Sequence, residues 1–269
     1  MIRLFEQDQK AEKRKSSKGN QLKWEKDGIW YKADYTGYEG LSEYLVSHLL
    51  ERSNLSAEQY VQYDTEVICY REQRYRGCKS ANFLPENWEL FTLERLFTNL
   101  YGESFYRSIF KIQGVKERIQ FLVDQTIRMT GLQTFGMYLS TLLTIDALFL
   151  NEDRHTHNIA VLRDPMGKYH ECPIFDNGAA LLSDTTMDYP MGQDLYGLIE
   201  RVQAKTVAAD FREQLEAAEE LFEPGLKFDF DYRSVHSLLE AEPNYPEEQK
   251  ERIEQIVMEQ RRKHAYLFS

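Results

Sequence analysis

Two periods of apolar residues divide the chain. In the first third the alternation is short and rich in β-formers. Residues 24–35, WEKDGIWYKADY, set β-prone positions on either side of Asp27-Gly28, the signal of a two-residue hairpin turn. Leu41, Tyr44, Leu45, His48 and Leu49 then fall at helical spacing within YEGLSEYLVSHLLERS, where Glu39 and Glu43 stand one turn apart. YVQYDTEVICYRE, residues 60–72, reads as one or two strands, and RGCKSANFLPENWEL as a short strand and an irregular connector punctuated by Pro85. From Phe91 onward the helical period takes over, with helices predicted at roughly 115–129 and 134–150. IAVLRD and KYHECPIFD form a predicted strand pair around a Pro165-Met166-Gly167 turn. Residues 246–267 open with proline at a helix start and continue as a charged amphipathic helix. Strands first and helices later, with a hinge-like connector near residues 80–92, predict an α+β protein with a small strand-rich N-lobe and a larger helical C-lobe.

Length and charge narrow the function classes. A chain of 269 residues can bury a core without a disulfide or metal staple. The net charge of −11 argues against a nucleic-acid binder, which carries a basic footprint. Residues 10–32 run against that balance, with eight Lys/Arg and three acidic residues, a patch that could attract nucleotide phosphates or simply be a solvated basic stretch. The three cysteines have no paired or C-x-x-C spacing and read as reduced thiols. The opening MIRLFEQDQKAEKRK lacks the apolar core of a signal peptide. Ser140, Thr141, Thr144 and Asp146 interrupt the longest apolar stretch, residues 137–150, which fits a buried helix and no membrane span. A cytoplasmic, soluble protein is expected, its oligomeric state open.

The chemistry concentrates in LNEDRHTHNIAVL and the following IFDNGAALL. Phosphoryl transfer from ATP needs a carboxylate near the attacking hydroxyl, hard ligands for Mg²⁺ and a cation on the phosphates. Asp153 and Asn158 stand five residues apart, the spacing at which a protein-kinase catalytic loop carries its base and a metal-ligating amide. The strand pair after Asn158 is expected to return the chain so that Asp176, in Asp-Asn-Gly, joins them as a second metal ligand. Asp and Asn offer the hard oxygens that suit Mg²⁺. Either motif alone is weak. The bland alternative is a charged loop capping helix ends, with Asp176 in a simple turn. His155 and His157 raise zinc, but no further His or Cys cluster accompanies them. In the N-lobe, Lys32 on the hairpin's second strand is the candidate phosphate-binding lysine, with Glu43 as its helix partner and Glu39 as competitor. Ser17, Lys18 and Gly19 lie in SSKGNQLKW, a short polar loop that could approach phosphates but lacks any glycine-rich fingerprint.

Taken together, SSKGNQLKW before the strand of Lys32, the helix YEGLSEYLVSHLL, GCKSANFLPENWE at the hinge position, and NEDRHTHNIAVL with PIFDNGAAL resemble the HipA-like and CtkA-like bacterial serine/threonine kinases, distant relatives of the phosphoinositide kinases. The likeness covers about residues 15–185. It implies a protein-kinase-like fold, one kinase-like domain over residues 1–269 with an N-lobe to about residue 84 and a C-lobe beyond, and ATP and Mg²⁺ as cofactors. It implies Asp153 as base, Asn158 and Asp176 on Mg²⁺, Lys32 on phosphates and Glu43 positioning Lys32. The backbone of Ala81, Asn82, Phe83 and Leu84 would meet adenine, and His155 would support the loop. The acceptor would be a hydroxyl on a protein, or on a small molecule or lipid in the alternative reading; a nucleotide-binding pseudokinase is a third. There is no room for the extra N-terminal domain of full HipA toxins, and the segment after Asp176 is short, without a peptide-docking feature. Ser16, Ser17, Thr185 and Thr186 are expected autophosphorylation candidates.

Overall fold

A computed structural model describes residues 1–10, 21–223 and 225–268. The chain forms two compact units, one built from residues 1–83, 175–202 and 227–269, the other from 84–174 and 203–226. The architecture is α+β.

The first unit holds a five-stranded sheet. Its strands are β1 (Ile2–Arg3), β2 (Lys23–Lys26), β3 (Ile29–Ala33), β4 (Asp64–Tyr70) and β5 (Gln73–Ala81), in the order β1-β4-β5-β3-β2. The β2–β3 hairpin turns at Asp27 and Gly28, both with positive φ, as the sequence predicts. A second hairpin, β4–β5, turns at Arg71 and Glu72, also at positive φ although neither is glycine. One face of the sheet buries Leu4, Trp24, Tyr31, Ala33, Ile68 and Tyr70. Helix α1 (Glu39–Leu50) packs on β4 and β5. Three further helices of this unit are α6 (Leu195–Arg201), α8 (Tyr232–Ala241) and α9 (Glu247–Lys263). Pro246 stands at the N-cap of α9, one residue ahead of the expected helical position.

The second unit pairs β6 (Glu89–Thr92), β7 (Ala160–Arg163) and β8 (Tyr169–Glu171) in an antiparallel sheet of that order. Beside it lie α2 (Leu93–Tyr101), α3 (Phe105–Phe110), α4 (Val115–Thr130), α5 (Phe135–Phe149) and α7 (Phe211–Leu221). Helix α5 is buried almost all round, which is why its sequence is apolar on every face. Among the described residues, no helix is long and apolar enough to cross a membrane.

Candidate active site

In the first unit a single ammonium ties three elements together. Lys32 projects from β3, and its Nζ lies 2.7 Å from Oε1 of Glu43 on α1 and 2.9 Å from Oδ1 of Asp176. The other Glu43 oxygen accepts the backbone N–H of Asn177 at 2.8 Å, so one carboxylate holds both the lysine and the Asp-Asn-Gly turn. The Tyr63 ring centroid lies 5.2 Å from Nζ and closes another side. Burial works to strip Lys32 of its proton, but Asp176 and Glu43 together outweigh it and hold the ammonium well above its ordinary value. Burial pushes the Glu43 carboxyl up against the pull of Lys32, and Asp176 adds to the push. The cluster therefore keeps Lys32 charged and fixed in position between two carboxylates.

The turn that carries Asp176 is strained and firmly held. Asp176, Leu181 and Leu182 all have positive φ, and such a conformation costs roughly 1–2 kcal/mol per L-residue. The start of α1 fixes it in place: Tyr38 donates its hydroxyl to the Leu181 carbonyl at 2.7 Å, Ser42 to Ala180 at 3.1 Å, and the Tyr38 amide to Ser183 at 3.2 Å. The Thr186 amide and hydroxyl both donate to the Thr36 carbonyl, at 2.9 and 2.6 Å. Glu39 bonds the Thr36 and Gly37 amides at 2.8 and 3.1 Å; the competitor for Lys32 is thus a cap of the chain entering α1.

In the second unit the loop after α5 is built on a buried ion pair. Helix α5 ends at Leu150 in the left-handed conformation, and Asp146, one turn back, points at the loop. Arg154 Nε lies 3.2 and 3.1 Å from the two Asp146 oxygens, and Asn151 donates to one of them at 3.1 Å. Both charged side chains are at most 1% exposed. Burial raises the Asp146 carboxyl to about 6 although Arg154 and its hydrogen bonds pull it down. Thr156 donates to Glu94 of α2 at 2.6 Å, a second anchor. Between these anchors, the Asn158 Nδ2 donates to the Asp153 carbonyl at 2.8 Å and approaches its carboxylate at 3.3 Å. Both bonds are made by the amide nitrogen of Asn158. His155 Nε2 lies 3.7 Å from Asp153 Oδ1, beside the His157 ring.

Lys32, Glu43 and Asp176 thus meet in one unit, and Asp153, His155 and Asn158 share one loop in the other. Ala81 ends β5, the Asn82 amide donates to the Gly28 carbonyl at 2.8 Å, and Phe83 packs against Phe175 with centroids 5.6 Å apart. Leu84 begins the second unit. Ser16, Ser17, Lys18 and Gly19 lie outside the described residues. Sequence reasoning missed Tyr63, Arg154 and Asp146 as parts of these sites. The available signal was Asp146, a carboxylate on an otherwise apolar helix, which requires a buried partner.

In donor chemistry each unit fits part of a Mg-ATP site: the first has the Asp176 carboxylate, a hard oxygen ligand, and a lysine kept charged, and the second has the Asn158 amide beside the Asp153 carboxylate. Among the described residues no group of three or more His, Cys, Asp and Glu side chains gathers to hold a metal by itself.

Fold and site together define a protein-kinase-like α+β protein. No protein-family model matches the sequence, nor does any curated protein. Among solved structures the chain is similar to the Helicobacter pylori proinflammatory kinase CtkA, at 17% identity and a TM-score of 0.59, over 91% of this chain and 88% of that one. It therefore has the fold of a CtkA-like kinase. HipA of Shewanella oneidensis, from a toxin–antitoxin complex with HipB and operator DNA, also matches, at 13% identity and a TM-score of 0.44; this chain covers 58% of it.

Proposed function

We propose that the protein is an ATP-dependent kinase, acting as one kinase-like domain, that transfers the γ-phosphoryl group to a hydroxyl, with a serine or threonine of a protein as acceptor. The observation that carries this reading is the Lys32 ammonium held between Glu43 and Asp176 at 2.7 and 2.9 Å. An unligated fold gains little from such a partly buried charge cluster, whereas a phosphate-binding lysine needs a fixed position and a guaranteed charge. Asp153 accepts the proton of the acceptor hydroxyl, and Asn158 keeps that carboxylate oriented through its amide nitrogen. Asn158 Oδ1 and the Asp176 carboxylate would hold Mg²⁺, which when bound neutralises charge on the phosphate oxygens. The backbone of Ala81, Asn82, Phe83 and Leu84 takes the adenine, Ser17, Lys18 and Gly19 cover phosphates, and His155 braces the loop. A cytoplasmic setting accords with the three free thiols.

The test is incubation with γ-labelled and, separately, α-labelled ATP, plus Mg²⁺ and cell lysate. Label from the γ-position alone, on protein serine or threonine, is expected, and it should vanish with Asp153→Ala. Label from the α-position would make the protein a nucleotidyl transferase, label on lipid or small molecules would replace the protein acceptor, and no label at all would remove the kinase reading.

A further inference from the structure

Helix α1 carries Glu43, so whatever sets the position of α1 sets the Lys32–Glu43 pair. In this chain α1 sits on the sheet with almost no space between. A Cβ on Gly40, in its first turn, would lie 2.5 Å from the Gly77 backbone carbon of β5 and 2.6 Å from the Tyr245 hydroxyl. A Cβ on Gly77 would lie 2.0 Å from the Lys32 carbonyl oxygen. Gly40 thus lets the helix lie directly against the strand that pairs with Lys32, and Gly77 lets that strand close on the Lys32 carbonyl.

The polar contacts at this junction come from far along the chain. The Gly40 amide, one of the donors a helix start leaves unpaired, donates to Asp34 Oδ1 at 2.7 Å. The other Asp34 oxygen accepts the Tyr245 hydroxyl at 2.8 Å. Tyr245 is 5% exposed and lies in residues 242–245, between α8 and α9. That connector is itself docked on the sheet. Glu242, 2% exposed, accepts the Thr65 hydroxyl at 2.8 Å and the amides of Asn244 and Tyr245 at 2.7 and 2.9 Å. Arg76 Nε donates to the Asn244 carbonyl at 2.7 Å, and Asn244 Nδ2 to Thr65 at 2.8 Å. All these residues belong to the first unit.

We infer that Tyr245 and Asp34 are positioning residues for the phosphate-binding lysine: the α8–α9 connector braces the start of α1 so that Glu43 stands on Lys32 in the resting protein, with no activating modification or partner. The inference rests on the kinase reading for its meaning, but its geometry can be tested without it. The Asn177 amide donates to Glu43, so its hydrogen exchange reports where α1 stands. Tyr245→Phe deletes one hydroxyl and keeps the ring; Asp34→Ala removes both acceptors.

The experiment compares exchange at Asn177 in the wild type, Tyr245→Phe, Asp34→Ala, Glu43→Ala and the double variant Tyr245→Phe/Glu43→Ala, with amides of the β4–β5 hairpin as reference for global stability. Exchange at Asn177 is expected to accelerate on the order of tenfold in Tyr245→Phe and more in Asp34→Ala, while the hairpin amides hold. Tyr245→Phe should add nothing once Glu43 is gone, because coupled residues are non-additive where a general weakening would add. Phosphoryl transfer, measured alongside, should show the same non-additivity in kcat. Unchanged exchange at Asn177 in both single variants, or additive effects in the double, would overturn the inference. Coupled exchange in a protein that transfers no phosphate would sustain the brace and remove the kinase reading alone.

Discussion

Asp153 and Asp176 are both carboxylates, yet their surroundings assign them different work. Asp153 faces the Asn158 amide at 3.3 Å and a His155 nitrogen at 3.7 Å within one tight loop. A loop carboxylate held in this way suits proton acceptance. Asp153→Ala is expected to lower the transfer rate on the order of 10²–10⁴-fold, measured as kcat with γ-labelled ATP, and to leave thermal unfolding nearly unchanged. Asp176 instead pairs directly with the Lys32 ammonium at 2.9 Å. Asp176→Ala is expected to abolish the magnesium dependence of ATP affinity, read by titration calorimetry with and without Mg²⁺; an affinity that still rises with magnesium would place the ion elsewhere. The same variant leaves Lys32 with one carboxylate, Glu43, and so also lowers the charge cost of bringing phosphate near.

At the scale of elements, the loop of Asp153 owes its shape to α5 and α2. Arg154→Leu leaves Asp146 buried without its counter-charge, with the Asn151 amide as a remaining donor, and should cost about 3–5 kcal/mol in urea unfolding, whereas Asp146→Leu/Arg154→Leu should cost less than the single change. A single variant no less stable than the double would mean that the pair is solvated. The strands and helices themselves were largely legible, because their periods are clean: the β2–β3 turn at Asp27-Gly28, α1 and α5 lie where the apolar spacing puts them. The β4–β5 hairpin was blurred because its turn uses Arg71 and Glu72, residues that carry no turn signal. The pairing of β6 with β7, and of Ile2–Arg3 with β4, escaped notice because partners distant in sequence leave no local trace. Of the site, Lys32, Glu43 and Asp176 could be named from motif order, but the choice of Glu43 over Glu39 depended on which way one helical turn faces. Arg154 reads as a surface charge until Asp146 is seen beneath it.

For the molecule as a whole, two carboxylates, the half-buried Asp34 and the fully buried Asp146, make stability depend on pH in one direction. Burial and the nearby Glu39 push Asp34 up to about 7, against the Gly40 amide, Tyr245 and Arg76; burial takes Asp146 to about 6. Each binds a proton more tightly in the folded chain than in the unfolded one, so their contribution is complete below about pH 4 and is lost as pH rises through about 6 and 7. Asp34→Asn should therefore gain stability relative to the wild type between those limits and level off above pH 7; denaturant midpoints across the range would show it, and a constant difference would mean that Asp34 is ionised throughout. The glycine contact under α1 has a consequence for how the protein tolerates change. Gly192, with open space around its Cβ position, should accept alanine freely, while a methyl group at Gly40 must lever the helix away from the strand and carry Glu43 with it, and one at Gly77 must part β5 from the Lys32 carbonyl of β3. One hydrogen atom, far smaller than any catalytic group, thus sets how near the glutamate of α1 can stand to the lysine.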